Sequence, residues 1–354
     1  MKILRLTTLL DFGGQEKQYV SFTEIPKLLQ YDYVFAAIGY GGNSERILRE
    51  KGYEVHILDR RVSIRNILNI WAVYRLIKKI KPDVVHTAAT EANFHGIIAA
   101  KLAGVKYIIG EEIGIPSHSN LAQKLFSWIY NLANKVVCVS QSVKDYLVKI
   151  GEIKESKGVV IYNPVSVPMR YPQKKGNYFH IVFVGRLERI KNADTLIKSI
   201  GRLKSLEVRL TIVGDGRERE SLEKLAGEIN VRENITFTGF SDNPSEYLSD
   251  ADLFVLPSYS EGFGIAAVEA MFLKIPVLCT NIGGISEFVR DGENGWLFDP
   301  YNVEQLTGKI RMIASMNTEQ RMDIGKNGFI TVSDKFTIAK YINNLEQLYS
   351  EGDV

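Results

Sequence analysis

The sequence predicts two doubly wound α/β domains in tandem, on three observations. Short β-rich apolar runs alternate with stretches of helical periodicity. The alternation breaks at a proline-containing stretch after residue 163 and then restarts. The chain has 354 residues, 45% hydrophobic and 24% charged, which makes about two domains, each large enough to bury its own core. Strands separated by helices argue for a parallel sheet covered on both faces. The same composition excludes a disordered, collagen-like or coiled-coil chain.

In chain order, strand-like runs fall at 3–7, 33–37, 54–58, 84–86, 107–109, 136–139 and 159–161. Helical patterns lie between them, for example at 92–103 and 121–132. Residues 163–177 carry Pro164, Pro168, Pro172 and Gly176 without clear periodicity and read as a linker. The pattern resumes with strands at 180–184, 209–213, 235–238, 253–256 and 276–279. At the end, Ile338, Tyr341, Ile342, Leu345, Leu348 and Tyr349 keep helical spacing, with Ser333 as the expected N-cap. The expected domains are therefore 1–165 and 166–332, with a helix at 333–354 that packs back on the first domain.

Cys138 and Cys279 sit in apolar runs and read as buried thiols of a reducing compartment. The opening KILRLTTLL is too short for a secretory signal, and no uncharged apolar run reaches ~18 residues. A cytoplasmic protein without a spanning helix is expected. The first 165 residues carry 22 Lys and Arg against 15 Asp and Glu; the remainder carries 22 against 26. A basic half and a mildly acidic half suggest different partners.

Chemistry concentrates in the second half. PSYSEGFGIAAVEAM (257–271) follows a strand, and Gly262 and Gly264 stand where the strand turns into a helix. Small residues there let a ligand approach the backbone, and the helix start offers N–H groups to a phosphate. Glu269 lies in an otherwise apolar helix, where a carboxylate needs hydrogen-bond donors such as a polyol. Glu261 precedes it by eight residues, in the turn. In VGRLERIKN (184–192), Arg186 and Lys191 follow the domain's first strand. Two cations at the carboxyl end of a strand suit a diphosphate, Arg as a fork and Lys as a point charge.

Together, Gly185-Arg186 with Lys191, the GDG turn at 214–216, FTGF at 237–240, Glu261 with Glu269, and CTNIGGISEFVRDGENG at 279–295 resemble the retaining glycosyltransferases of family 4. That family has the GT-B architecture of two Rossmann-like domains. In the first half the likeness is looser. It rests on DFGGQE (11–16), with Gly13, Gly14 and Glu16, and on PDVVH (82–86).

The resemblance implies a metal-independent hexosyltransferase without a cofactor. It would move a sugar from a UDP- or GDP-sugar to an acceptor hydroxyl with retention, in polysaccharide or glycolipid synthesis. It implies that Arg186 and Lys191 neutralise the leaving diphosphate and that Glu261 contacts the donor sugar, with the Phe263 and Gly264 amides close by. Glu269 would hold the ribose, Gly239 would lie near the base, and Gly13 and Gly14 would close the phosphate side. His86 stands at the family's strand-end position, a structural histidine being the alternative. A family histidine after the fifth strand is missing: GEEIG (110–114) stands there, which raises Glu112 as a contact to donor or acceptor, the alternative being a solvent-facing loop acid. Two other functions stay open: an epimerase or phosphorylase on the same architecture, and a non-catalytic nucleotide-sugar-binding partner.

Residues 60–82 hold seven cations (Arg60, Arg61, Arg65, Arg75, Lys78, Lys79 and Lys81) and no acid. Ile64, Ile67, Leu68, Ile70, Trp71, Tyr74, Ile77 and Ile80 are interleaved. This reads as a basic amphipathic helix capped by Ser63, its apolar side covering the sheet and its cations suited to the inner face of a membrane. IGYGGNS (38–44) imitates a dinucleotide fingerprint but has Ser44 at its third glycine position. Asp250 and Asp252 read as turn residues. The five histidines show no metal-ligand spacing, and no nucleic-acid motif is visible.

Overall fold

A computed structural model describes residues 1–11, 13–171, 176–203 and 206–353. The chain divides into two compact units: Met1–Pro164 with Ile338–Val354, and Val165–Thr337.

The first unit runs β1 (Lys2–Thr7), α1 (Gly14–Phe22), β2 (Asp32–Ala37), α2 (Asn43–Glu50), β3 (Glu54–Ile57), α3 (Leu68–Ile80), β4 (Val84–Ala88), α4 (Thr90–Ala103), β5 (Tyr107–Glu112), α5 (Asn120–Leu132), β6 (Lys135–Cys138), α6 (Gln141–Lys149) and β7 (Gly158–Val160). Its seven parallel strands are ordered β3-β2-β1-β4-β5-β6-β7. The second unit runs β8 (Phe179–Val184), α7 (Ala193–Gly201), β9 (Val208–Val213), α8 (Arg219–Glu228), β10 (Ile235–Gly239), α9 (Ser245–Leu248), β11 (Leu253–Leu256), α10 (Ile265–Phe272), β12 (Val277–Thr280), β13 (Trp296–Phe298), α11 (Val303–Ser315) and α12 (Thr318–Lys335). Its six parallel strands are ordered β10-β9-β8-β11-β12-β13. In each sheet the first strand of the unit borders the switch point, where the order reverses and ligands of open α/β sheets bind.

The central strands are buried on both faces, which is why they read as near-continuous apolar runs. Cys138 and Cys279 are buried in β6 and β12. The last helix, α13 (Ile338–Ser350), belongs to the first unit. It buries Tyr341, Ile342, Leu345, Leu348 and Tyr349 among Tyr19, Phe22, Tyr33 and Phe35.

Several expectations need correction. Ser333 is not an N-cap: it lies in α12, whose N-terminus is a capping box of Asn317 and Gln320, and its hydroxyl donates to the Ile330 carbonyl. The chain turns at Phe336 and restarts as a helix at Ile338, so 333–337 belong to the second unit. Ser63 does not cap α3 either. It accepts from the Arg65 and Asn66 amides in a preceding turn, and α3 starts at Leu68. The buried side of α3 is Asn69, Val73, Leu76 and Ile77, whereas Ile67, Leu68 and Trp71 face outward. β5 continues through Glu112, so Glu111 and Glu112 are buried strand residues, not loop acids.

Candidate functional site

In the second unit, five loops leave the carboxyl ends of β8, β9, β10, β11 and β12, and the expected site residues lie on them or in the helix that follows. The loop after β8 runs close along the loop after β9: the Gly185 amide donates to the Val213 carbonyl, and the Leu187 amide to that of Asp215. Arg186 projects from this loop, exposed, and its side chain makes no ion pair among the described residues. Asn192 is buried in a left-handed conformation at the start of α7, and its amide donates to the Pro257 and Pro300 carbonyls at 2.9 and 3.0 Å. It thereby ties the Lys191 loop to the loop after β11.

Across the switch point between β8 and β11, Lys191 Nζ lies 2.6 Å from Glu261 Oε2. The two side chains are 24% and 14% exposed, so this pair is largely withdrawn from water. Ser258 Oγ donates to the same oxygen at 3.3 Å. Glu261 is pinned from behind by Gly283, at φ +52, where an added Cβ would stand 1.8 Å from the Glu261 carbonyl oxygen. No residue with a side chain fits there. Gly264, at φ +98, is the N-cap of α10, and no side chain caps the first amides of this helix. The start of α10 therefore offers donors and the positive end of its dipole at the strand edge.

Glu269 is buried one turn further along α10. Phe263 packs its ring against Phe288 and Phe336, so its contribution to the edge is its backbone. Gly262 completes that turn. Gly239, at φ +78, ends β10, and its carbonyl accepts from the Gly214 amide. Asp252 accepts from the His180 amide at the foot of the sheet, a turn contact at the opposite end from this site.

The first unit holds the remaining expected residues. Gly13 is the N-cap of α1 and Gly14 its first residue, just past β1 at the carboxyl edge. His86 lies inside β4, which runs on to Ala88, and is fully buried. Its Nδ1 bonds the Tyr349 hydroxyl at 2.7 Å and its Nε2 lies 3.2 Å from Glu111 Oε2. Burial pushes its pKa down and keeps it neutral. This is a core histidine clamped between β5 and α13. At the end of β4, Ala89 adopts φ 77 and ψ 156, a region almost reserved for glycine. Such strain at a switch point marks a candidate position that periodicity could not reveal.

The matches to known families decide the class. Residues 15–167 match the family model described as Glycosyltransferase Family 4, and 169–330 that described as Glycosyl transferases group 1. The chain belongs to the family 4 glycosyltransferases. An uncharacterised glycosyltransferase of Methanocaldococcus jannaschii is 28% identical over 85% of this chain and 86% of its own. The UDP-Gal:alpha-D-GlcNAc-diphosphoundecaprenol alpha-1,3-galactosyltransferase of Escherichia coli is 26% identical over 84% and 83%. Among solved structures, Anabaena HepE in complex with UDP-glucose superposes with a TM-score of 0.87 at 21% identity, covering 99% of this chain and 100% of that one. The fold of this glycosyltransferase is thus GT-B, with two Rossmann-like domains.

The transferase's Glu112 is buried at the end of β5, where its Oε1 accepts from the Tyr130 hydroxyl and from Asn93 Nδ2. Burial pushes its carboxyl up to about 7, partly opposed by Tyr130 and assisted by the charge of Glu152. The folded state therefore holds a proton there that the unfolded chain, with an ordinary value of 4.5, releases earlier. Stability from this group is complete below 4.5 and declines as pH rises to about 7. Glu112→Gln keeps the acceptor oxygen without the titration. Its stability relative to wild type should rise by up to about 3 kcal/mol between pH 4.5 and 8. Denaturant titrations at both pH values check this, and an unchanged difference would show that Glu112 does not titrate in that range.

Proposed function

We propose that this glycosyltransferase moves a sugar from a UDP- or GDP-sugar to an acceptor hydroxyl with retention at the anomeric carbon, and without a metal ion. The observation that carries the reading is the Lys191–Glu261 pair across the β8/β11 switch point, with the unpaired guanidinium of Arg186 on the same loop. A diphosphate entering there takes Lys191 away from Glu261. The ammonium then neutralises phosphate oxygens, and the released carboxylate accepts from a sugar hydroxyl. As the bond from the anomeric carbon to the diphosphate breaks, charge grows on the leaving oxygens, next to Arg186, Lys191 and the first amides of α10. Preorganised donors placed where charge develops are the largest electrostatic contribution to such a step.

Gly262, Phe263 and Gly264 present backbone amides, Gly185 lets the phosphate loop approach, Glu269 holds the ribose hydroxyls and Gly239 borders the base. Gly13 and Gly14 serve the phosphate from their own loop. The acceptor is a glycan or a lipid-linked sugar, the class named for the E. coli relative. The enzyme works at the inner face of a membrane, held by the basic segment 60–81. Among the described residues no helix is long and apolar enough to cross a membrane.

A thermal-shift panel of UDP-glucose, UDP-galactose and GDP-mannose, with and without EDTA, tests the donor reading. A donor at 100 times its dissociation constant adds about 2.7 kcal/mol, a rise on the order of 5 °C. The shift should survive EDTA. Failure of every nucleotide sugar to move the melting temperature would sink the assignment. Conversion of donor without acceptor would make the protein an epimerase instead.

A further inference from the structure

We infer that the face of the first unit built from α3, α4 and α5 is a docking surface for an anionic lipid bilayer, and that α5 supplies its second apolar anchor through Leu121, Leu125 and Trp128. This rests on the membrane contact given above to residues 60–81 and extends it to a helix outside that segment.

A helix that covers a sheet normally turns polar residues outward. α5 buries Phe126, Ile129 and Tyr130, as such a helix should. Its outer side nevertheless presents Leu121, Leu125 and Trp128, spaced by four and three residues along one stripe. Leu121 is 80% exposed and Trp128 54%. α3 repeats the arrangement, with Ile67 and Leu68 exposed at its start and Trp71 at 53%. Both helices pack on α4, so the two stripes lie on one side of the sheet. Crossover helices run back against parallel strands, which puts the first turns of α3 and α5 towards the carboxyl edge, where β5 ends at Glu112.

The charge around the stripes selects the occupant. Neither residues 60–82 nor residues 113–144 contain an Asp or Glu. Arg61, Arg65, Arg75, Lys78, Lys79 and Lys124 are all exposed. Trp71 stacks on Tyr74 at 4.9 Å and carries the Arg75 guanidinium 5.4 Å above its ring. Aromatic rings, leucines and unpaired cations together are the composition of a surface seated at a headgroup boundary. A second copy fits less well, because a two-fold contact would press the cations of α3 and α5 against their own counterparts, with Glu91 of α4 the one acid in the three helices.

Flotation of the full chain with phosphatidylcholine vesicles, with and without about a quarter phosphatidylglycerol, tests the inference. Wild type should float with the anionic vesicles. Leu121→Ser with Trp128→Ser, which leaves every cation in place, should lower the partition coefficient by about tenfold or more. Lys78→Glu with Lys79→Glu should lower it comparably. An unchanged thermal shift with nucleotide sugar confirms that each variant is folded. If the serine variant floats like wild type while the glutamate variant does not, the α5 anchor is overturned and the contact through α3 stands. If wild type floats with neither vesicle, both are overturned. If light scattering shows a dimer that the serine variant abolishes, with no flotation, a second copy covers this face and the inference is overturned.

Discussion

Lys191→Ala should lower transfer by about 10²–10³-fold, the loss that follows removal of one preorganised donor to a developing charge. The effect is expected in kcat more than in KM, because the diphosphate gains charge as it leaves and the ammonium binds that form better than the intact donor. The variant also leaves Glu261, otherwise 2.6 Å from the ammonium, with only the Ser258 hydroxyl at 3.3 Å. An uncompensated carboxylate then faces the incoming phosphates and adds repulsion to the lost attraction. Stability should fall by up to a few kcal/mol (on the order of the loss from breaking a buried pair), since the Glu261 side chain is only 14% exposed and loses its ionic partner. Lys191→Arg restores charge without the shape of a point cation and should recover part of the rate. Glu269→Ala should abolish transfer outright, through lost donor binding. Single-turnover rates on folded variants check these expectations. Transfer at the wild-type rate in both alanine variants would remove the site assignment.

What was legible in the sequence follows from which interactions are local. Strands buried on both faces need apolar runs, and loops that approach phosphate need glycine, so β8, β11 and the turn at 262–264 announce themselves. The pairing of Lys191 with Glu261 does not, because it depends on β8 lying beside β11, a fact of sheet order rather than of spacing. β13 is three residues long, too short for periodicity to register. On α3, apolar residues occupy both sides of the helix, so composition alone could not say that Trp71 faces outward and Val73 inward. Ser333 had the residue type of a cap but not the position, because helical structure already extended back to Thr318. Arg5 was the least legible of all, an ordinary-looking cation in the alternation of KILRLT.

Arg5→Met should destabilise the protein by about 3–5 kcal/mol, the cost of removing one partner from a buried ion pair. Arg5 is fully buried in β1. Its Nη2 donates to Glu111 Oε2 at 3.2 Å and to the Tyr341 hydroxyl at 3.1 Å, and its guanidinium lies 4.5 Å over the Tyr19 ring. It therefore joins β1, β5, α1 and α13 at one point. Burial works against the charge of Glu111, but His86, Arg5 and Gln18 outweigh it and hold the carboxyl at about 2. In wild type this contribution is complete above 4.5 and is lost only as pH falls towards 2. Without Arg5 one of the groups that oppose burial is gone, so the Glu111 carboxyl rises above its wild-type position, and stability relative to wild type falls as pH rises through that raised value. The deficit of Arg5→Met should accordingly be larger at pH 8 than at pH 5. Arg5→Met combined with Glu111→Gln should recover most of it at pH 8, because Gln removes the stranded charge yet can still accept from Gln18, which lies 2.8 Å from Glu111 Oε1. Urea titrations of wild type and the two variants separate the causes. Equal deficits at both pH values would mean that Arg5 acts through packing on Tyr19 and Phe22, and the charge on Glu111 would then have no part in the loss.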